Sequence, residues 1–387
     1  MTVLKIKKVN EVFVQIECDD AGVHYELSDF FSFFVPGYRW MPAFKNKMWN
    51  GKINLYNTRN HTLYAGLVPY VQEFAEARDA TVEFEDNAQY GRMDSEVLID
   101  ETQLMEFVRG LSLHAHTERI EPRDYQIDAV LKALRTNRAL LLSPTASGKS
   151  LIIYILIRWF LAHSEGKVLL VVPTTSLVEQ MYTDFADYSS HDESWDNANT
   201  CHRIYSGKEK IDIRQRVIIT TWQSIYKMPA SWFEPYRMVI GDEAHNFKAK
   251  SLAKIMESLR DAKYRIGTTG TLDGTQTHKL VLEGLFGPVY KVTTTKELMD
   301  RDQLSALEIS VLLLKYDDDL CQASKKFTYQ EELDWLVKHE ARNRFIRNLA
   351  IAQNGNTLIL YNYVEKHGKP LYDAIKAKLE ANGSICL

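Results

Sequence analysis

The sequence is poor in cysteine, carries no excess of positive charge and contains no long apolar run. Its 387 residues include four cysteines, which are Cys18, Cys201, Cys321 and Cys386. None of these belongs to a C-x-x-C pair, so we expect reduced thiols in a cytosol-like compartment. His114 and His116 lie close together but have no cysteine cluster beside them, which argues against a zinc site.

The remaining absences concern charge and membranes. The formal net charge is −4, so any nucleic-acid site has to come from a local basic patch. The first ten residues lack the apolar run of a signal peptide. The most apolar stretch, Leu151–Ile157, is far too short to span a membrane, and Arg158 follows it. We therefore expect a cytoplasmic protein with no membrane partner.

The chain is long enough for two or three domains. Residues 1–112 are expected to form a small α+β domain, in which Val12, Val14 and Ile16 alternate with polar neighbours as in a half-buried strand. The polar stretch His114–Pro122 is typical of a linker. Residues 113–295 and 296–387 are expected to form one complete and one incomplete α/β domain.

In the second region, short apolar runs alternate with helical segments, which predicts a parallel sheet covered on both faces. The predicted strands are Ala139–Leu142, Val168–Val172, Val217–Thr220, Met238–Gly241 and Tyr264–Gly267. The predicted helices include Lys149–Ala162, Ser176–Tyr188 and Ser251–Asp261, with Gln103–Leu111 before them. Chemistry in such sheets collects at the carboxyl ends of the strands.

The last region repeats this alternation without completing it. Strands are predicted at Val311–Tyr316 and Thr357–Leu360, and a further strand begins at Ser384–Leu387. Lys325–Gln353 and Val364–Ala381 are predicted to be helical.

A phosphate-binding loop is predicted between the first strand and helix of the parallel sheet. Its residues are Ser143, Pro144, Thr145, Ala146, Ser147, Gly148, Lys149 and Ser150. Backbone N–H groups at the start of a helix favour phosphate, Lys149 would reach the β- and γ-phosphates, and the Ser150 hydroxyl would bind Mg²⁺. Ser143 and Ala146 stand where related loops carry glycine, so an ordinary polar turn is the alternative.

An acidic pair, Asp242 and Glu243, follows the Met238–Gly241 strand. Adjacent carboxylates repel each other, and a metal ion would explain them. Asp242 would bind Mg²⁺, Glu243 would act as general base on the attacking water, and His245 would contact the γ-phosphate side. A solvated acidic turn is the alternative.

Three further groups of residues complete the candidate motor site. Thr268, Thr269 and Thr271, around Gly270, would couple the acidic pair to moving parts. Arg123 and Gln126 would bind the adenine. The hydroxyl and amide groups of two helix starts suit a nucleic-acid backbone, and they belong to Thr174, Thr175, Thr221, Trp222 and Gln223. Each group alone is compatible with an ordinary turn or helix surface.

A basic and aromatic segment indicates a DNA contact in the first domain. Residues 30–72 contain no Asp or Glu. They carry Arg39, Lys45, Lys47, Lys52 and Arg59 among aromatic residues that include Trp40 and Trp49. Cations neutralise phosphates and aromatic faces stack on bases. The neighbouring Phe30, Phe31, Phe33 and Phe34 are expected to be core residues.

The order of these motifs resembles that of superfamily 2 helicases. The matching elements are Gln126, the loop with Lys149, Pro173–Thr175, Thr220–Gln223, Asp242–His245 and Thr268–Thr271. Leu285–Leu304 is similar to the segment that joins the two motor domains, and Asn356–Leu371 to the motif IV region. Asp29–Phe33 and Trp49–Ile53 extend the resemblance to the UvsW family of T-even phage helicases.

The resemblance implies a RecA-like parallel-sheet motor domain, a small N-terminal α+β domain and an incomplete second RecA-like domain. It implies ATP and Mg²⁺ as cofactors and branched or forked DNA, with RNA–DNA hybrids as a further class, as partner. The implied activities are branch migration, fork regression and R-loop unwinding in phage recombination and repair, in the host cytoplasm. The arginine finger would lie beyond Leu387, so we expect this chain to bind nucleotide and hydrolyse it poorly.

Three alternatives remain open from the sequence. One is the translocating subunit of a restriction enzyme, which would need a nuclease partner. A second is an ATP-gated DNA-binding or annealing module without motor activity. A third is a small-molecule P-loop enzyme, which would not need the aromatic and basic segment.

Overall fold

The computed structural model describes residues 2–85, 99–205, 207, 209–211, 213–272, 276–305, 308–353 and 355–381. Its strands are β1 Val3–Lys8, β2 Phe13–Glu17, β3 Ser32–Phe34, β4 Lys52–Asn54, β5 Thr62–Tyr64, β6 Thr81–Phe84, β7 His114–Ala115, β8 Glu118–Arg119, β9 Arg138–Leu142, β10 Lys167–Val172, β11 Cys201–Ile204, β12 Val217–Thr221, β13 Tyr236–Asp242, β14 Tyr264–Thr269 and β15 Val289–Lys291.

Its α-helices are α1 Ala21–Phe30, α2 Pro42–Lys45, α3 Val68–Glu76, α4 Glu101–Gly110, α5 Asp124–Thr136, α6 Lys149–His163, α7 Thr175–Tyr188, α8 Asn197–Thr200, α9 Trp222–Ile225, α10 Ala230–Phe233, α11 Lys250–Ser258, α12 Gln276–Phe286, α13 Thr295–Asp300, α14 Asp318–Ser324, α15 Tyr329–Lys338, α16 Glu340–Ile351 and α17 Lys369–Ala381. Short 3₁₀ turns lie at Tyr38–Trp40, Ala65–Leu67 and Ala244–Lys248, and a π-type turn at Val364–Gly368 precedes α17.

The first part of the chain forms a four-stranded sheet in the order β5-β2-β1-β6. β1 pairs antiparallel with β2 and parallel with β6. The alternation predicted for Val14 and Ile16 is confirmed, since both are fully buried on the face that packs against α1 and α3. A separate hairpin of β3 and β4 extends from this sheet and carries the long connection of residues 35–51.

The central region is a seven-stranded parallel sheet in the order β11-β12-β10-β13-β14-β9-β15. All five predicted strands are present, each longer than predicted by one to three residues. Alternate residues of β10 face opposite sides: Val168 and Leu170 belong to one apolar cluster, Leu169 and Val171 to the other. Because each face is covered by helices, the strands are mostly apolar, as expected for a buried parallel sheet.

The N-terminal sheet and the central sheet share buried residues. Leu280 of α12 lies in the apolar core of the N-terminal sheet. A Cβ atom on Gly66 would lie only 2.0 Å from the backbone oxygen of Glu283, so the 3₁₀ turn at Ala65–Leu67 packs directly on the α12 backbone. Residues Met1–Ala306 accordingly form one compact unit. The predicted linker region contains the small β7–β8 hairpin, and the expected boundary near residue 112 stays a prediction.

In the second compact unit, Leu307–Leu387, all of the regular secondary structure among the described residues is helical. The predicted helices are confirmed as α15, α16 and α17. The strands predicted at Val311–Tyr316 and Thr357–Leu360 are wrong, because neither segment forms a strand. The physical reason is the lack of a neighbouring strand among the described residues of this unit, which leaves apolar side chains such as Leu313 and Leu360 each 84% exposed. The strand predicted at Ser384–Leu387 lies outside the described residues.

Among the described residues, no helix combines the length and the apolar character that crossing a bilayer requires.

Candidate active site and nucleic-acid surface

The loop between β9 and α6 is closed by its own hydrogen bonds. The Ser143 amide donates to the Thr269 carbonyl oxygen at 2.8 Å, and the Ser143 and Ser147 hydroxyl oxygens lie 2.6 Å apart. The Ser147 hydroxyl also donates to the Pro144 carbonyl oxygen at 2.6 Å. Ser143 therefore has a structural role in this loop and links it to the end of β14.

Two residues of the loop have left-handed backbone conformations. Gly148 has φ +77°, and a Cβ atom there would lie 2.3 Å from Nε2 of Gln126. Ala146 has φ +64° and is one of the positions where the sequence lacks the glycine of related loops. The loop thus keeps its curvature at Ala146 at the cost of some backbone strain.

Gln126 lies beside this loop and is 3% exposed. Its Oε1 accepts from the Arg123 amide at 2.8 Å, and its Nε2 donates to the Ser147 carbonyl oxygen at 2.9 Å. Tyr125 donates to the same oxygen at 3.1 Å and accepts from the Arg123 guanidinium at 2.7 Å. Both ends of the Gln126 amide are used within the protein, so adenine recognition would require an exchange of partners.

The predicted catalytic residues come together at the ends of β9, β13 and β14. Nζ of Lys149 lies 3.1 Å from Oε1 of Glu243. Asp242, which is 4% exposed, accepts from the Thr268 hydroxyl at 2.7 Å. Burial raises the pKa of Asp242, and the Thr268 hydrogen bond and the charge of Lys149 oppose that rise. Glu243 has φ +48°, which turns the chain sharply between the two carboxylates.

His245 and the threonines after β14 connect to this cluster. Nδ1 of His245 lies 3.0 Å from the Thr269 hydroxyl oxygen and 3.4 Å from Oε2 of Glu243. The Thr269 hydroxyl donates to the Thr271 carbonyl oxygen at 2.9 Å. A chain of polar contacts therefore runs from Glu243 to the segment after β14. This contact pattern matches the coupling role predicted for Thr268, Thr269 and Thr271, and the role itself stays a prediction.

Ser150 has partners that the sequence did not reveal. Its hydroxyl oxygen lies 2.8 Å from the Tyr188 hydroxyl oxygen at the end of α7. Burial raises the pKa of Asp184, also on α7, and an interaction with Ser150 opposes that rise. Neither α7 residue carries a motif signal, because they stand more than thirty positions from Ser150 in the sequence.

The oxygen donors of Ser150 and Asp242 are the hard ligands that Mg²⁺ prefers. Magnesium sites in nucleotide-binding proteins use one or two such ligands together with substrate phosphates. No group of three or more His, Cys, Asp and Glu side chains gathers as a metal site in the part of the chain that the structure describes. The oxygen atoms of both side chains therefore have the chemistry to bind a magnesium ion that arrives with a nucleotide.

The basic and aromatic segment of the first domain forms an exposed surface, which we call the aromatic–basic loop (residues 34–52). Trp40 is 79% exposed, and the Lys45 ammonium lies 5.5 Å from its ring centroid. Arg39 and Lys47 are also exposed. Lys52 lies over the ring of Phe34 at 5.2 Å.

Two expectations in this segment need qualification. Phe34 is 51% exposed, so its prediction as a core residue is wrong, because β3 ends there and the chain turns outward. Phe30 is also partly exposed, whereas Phe31 is fully buried as predicted. Trp49 is half-buried, and its indole N–H donates to the Lys52 carbonyl oxygen at 2.8 Å, which holds the base of the loop together.

The remaining predicted nucleic-acid residues lie at the carboxyl ends of β10 and β12. Thr174 and Thr175 are exposed at the start of α7, where the Thr174 hydroxyl accepts from the Leu177 amide at 3.3 Å. Gln223 is exposed, and Trp222 lines a cavity of about 310 Å³ beside Asp242. Thr221 is 4% exposed and its hydroxyl pairs with that of Ser224 at 3.0 Å, so it does not face solvent.

Two family models match separate parts of the chain. The model of the N-terminal domain of the DNA helicase UvsW matches residues 4–86. The model of the type III restriction enzyme res subunit matches residues 119–274.

Individual relatives match the chain more fully. The chain is 34% identical over 374 residues to the ATP-dependent DNA helicase UvsW of Enterobacteria phage T4, covering 94% of this chain and 71% of the phage protein. A crystal structure of the T4 UvsW helicase has a TM-score of 0.68 and 31% identity, with 97% of this chain and 73% of that chain covered. A second UvsW structure from the same phage has a TM-score of 0.66 and 32% identity, covering 74% of this chain and 99% of that chain.

Proposed function

The chain belongs to the UvsW family of ATP-dependent DNA helicases, and from this and the site geometry we propose that it hydrolyses ATP between β9, β13 and β14 to remodel branched DNA. The observation that carries the proposal is the cluster of Lys149, Glu243 and Asp242 at adjoining strand ends. Branch migration, fork regression and R-loop unwinding are the proposed reactions, and the cytoplasm is the proposed location.

In the proposed mechanism, the ATP phosphates compete with Glu243 for the charge of Lys149. Lys149 is paired with Glu243. When the phosphates of ATP bind Lys149, they compete for its charge, and Glu243 gains freedom to accept a proton from the attacking water. Ser150 and Asp242 would hold Mg²⁺, which supplies charge stabilisation at the phosphates when bound. The polar contacts of His245 and Thr269 would pass the change at Glu243 to the segment after β14.

Variants of the cluster test this part of the proposal. In a version extended past Leu387, Lys149→Ala should lower DNA-stimulated ATPase turnover by roughly 10²-fold or more, since it removes a preorganised cation from the phosphates. Glu243→Gln should retain nucleotide binding and stop hydrolysis. Lys254→Ala is the matched control, because Lys254 is an exposed lysine on α11. Full turnover by Lys149→Ala would refute the site.

The aromatic–basic loop is proposed to bind DNA by stacking and phosphate contacts. Its exposed Trp40 is suited to stacking on bases, and Arg39, Lys45, Lys47 and Lys52 supply positive charge on the same segment. Thr174, Thr175 and Gln223 would contact the backbone on the motor domain.

Salt dependence distinguishes these contacts from nonspecific effects. Replacing both Lys45 and Lys47 by Ala should reduce the slope of log affinity against log salt by about 1.8 if each contacts a duplex phosphate. Trp40→Ala should weaken binding to single-stranded or forked DNA by roughly fivefold or more. Tyr25→Ala is the control, because Tyr25 is 74% exposed in the same domain and outside the loop. Unchanged slope and affinity would remove the loop from the DNA site.

The restriction-subunit alternative is not favoured. The restriction-enzyme model matches only residues 119–274, whereas residues 4–86 match the model of the UvsW N-terminal domain.

A further inference from the structure

Ser150 is held against α7 by Tyr188. The Ser150 and Tyr188 hydroxyl oxygens lie 2.8 Å apart, and either hydroxyl can be the donor. The Asp184 side chain, one turn earlier on the same helix, also interacts with the Ser150 hydroxyl. At least one hydrogen bond of Ser150 is therefore used by α7.

The end of α7 is fixed in place by its other neighbours. Asp187 accepts from the His116 amide at 2.9 Å, which ties α7 to the β7–β8 hairpin. The Tyr188 ring packs against Tyr154 of α6, with ring centroids 5.5 Å apart. Phe185 is fully buried beneath them. These contacts hold the Tyr188 side chain in position. Little conformational entropy is therefore lost when its hydroxyl pairs with Ser150.

We propose that Tyr188 is a positioning residue that holds the Ser150 hydroxyl against α7 and so weakens the magnesium-dependent part of nucleotide binding. The inference rests on the proposed function, in which Ser150 is a magnesium ligand. In this proposal Ser150 gives up its hydrogen bond to Tyr188 when it binds the metal. The strength of the Ser150–Tyr188 contact thus sets how much magnesium contributes to affinity.

The test measures binding of a non-hydrolysable ATP analogue by the full chain, with Mg²⁺ and with EDTA. The readout is the dissociation constant in EDTA divided by the dissociation constant with Mg²⁺. This ratio isolates the magnesium-dependent part of binding. Tyr188→Phe removes one hydrogen bond and keeps the ring, so the ratio should rise about threefold to tenfold. The dissociation constant in EDTA should stay the same, which a general loss of packing would not allow.

A double-mutant cycle connects the effect to Ser150. Ser150→Ala should lower the ratio, and in that background Tyr188→Phe should have no further effect. Tyr182→Phe is the matched control, because Tyr182 lies on the same helix with its ring 3.9 Å from the Arg203 guanidinium and not at Ser150.

The outcomes separate this inference from the proposed function. A wild-type ratio above one that Tyr188→Phe leaves unchanged or lowers would overturn the inference alone. A wild-type ratio of one, or tight binding by Lys149→Ala, would overturn the nucleotide site itself.

Discussion

Glu11→Ala is expected to destabilise the whole first unit, although Glu11 lies far from the motor motifs in the sequence. Glu11 Oε2 lies 3.1 Å from Nη2 of Arg138, and the exposed fractions of the two side chains are 14% and 1%. Arg138 also donates to the Glu11 main-chain oxygen, and the Glu11 amide donates to the Arg260 carbonyl oxygen at 2.9 Å. Removing this carboxylate takes an anionic partner away from the Arg138 charge, which is buried at the start of β9.

The magnitude follows from burial and size. Breaking one partner of a buried ion pair costs about 3–5 kcal/mol, and we take the lower end because Glu11 is slightly exposed. A unit spanning Met1–Ala306 has an unfolding entropy of about 0.6 kcal/mol per kelvin at roughly 2 cal/mol per kelvin per residue. The melting temperature should therefore fall by about 5 °C.

Scanning calorimetry on the purified chain would measure this shift. Glu85→Ala is the control, because the Lys7–Glu85 pair is exposed, with side-chain exposures of 49% and 55%, and it should shift melting by about 1 °C or less. Two results would refute the reasoning about the shared interior. One is a Glu11→Ala melting temperature equal to that of the wild type. The other is a separate transition of the N-terminal sheet at an unchanged, higher temperature.

Other predictions concern backbone fit and thiol chemistry. Gly66→Ala should destabilise the protein by about 1–3 kcal/mol in urea unfolding, because its Cβ would meet the α12 backbone at 2.0 Å; a neutral result would contradict that packing. Gly148→Ala should weaken nucleotide binding about tenfold or more, whereas Ala146→Gly should be neutral or favourable, since both positions have left-handed φ angles; equal losses in titrations of the two variants would argue against it. Burial raises the pKa of Cys201 to about 12, so Cys201 should resist a disulfide reagent at pH 8 while exposed Cys321 reacts; rapid labelling of both would disprove this. Unfolding returns the Cys201 pKa to near 9.0, so this thiol should make the free energy of unfolding decrease as the pH rises above 9.0.

Local patterns predicted the motor sheet well. The runs that became β9, β10, β12, β13 and β14 are mostly apolar, as expected for strands that are buried on both faces. The phosphate loop and the acidic pair were recognisable because each follows such a run directly.

Contacts between distant segments were not predictable in the same way. Tyr188 reaches Ser150 only because α7 folds back beside α6. Arg265 is fully buried and donates to the carbonyl oxygens of Met256, Leu259 and Leu285. These bonds join the ends of α11 and α12. In the sequence, Arg265 is only one charged residue inside a predicted strand. Such partners depend on tertiary placement.

The strands expected at Val311–Tyr316 and Thr357–Leu360 show the limit of apolar runs as a signal. A run of this kind predicts burial, and a strand needs a neighbour to complete its hydrogen bonds. The described residues of the second unit offer no such neighbour, and the two runs form no strand and stay mostly exposed.

The shared interior of the first unit also determines how the aromatic–basic loop would move. Leu280 of α12 lies within the apolar core of the N-terminal sheet. We therefore expect the aromatic–basic loop and the nucleotide-binding sheet to move as one body. A displacement of that sheet would then move the loop by a corresponding amount. Deleting the N-terminal sheet would expose the apolar surface that packs against it. Point substitutions within the aromatic–basic loop are therefore the better way to test its function.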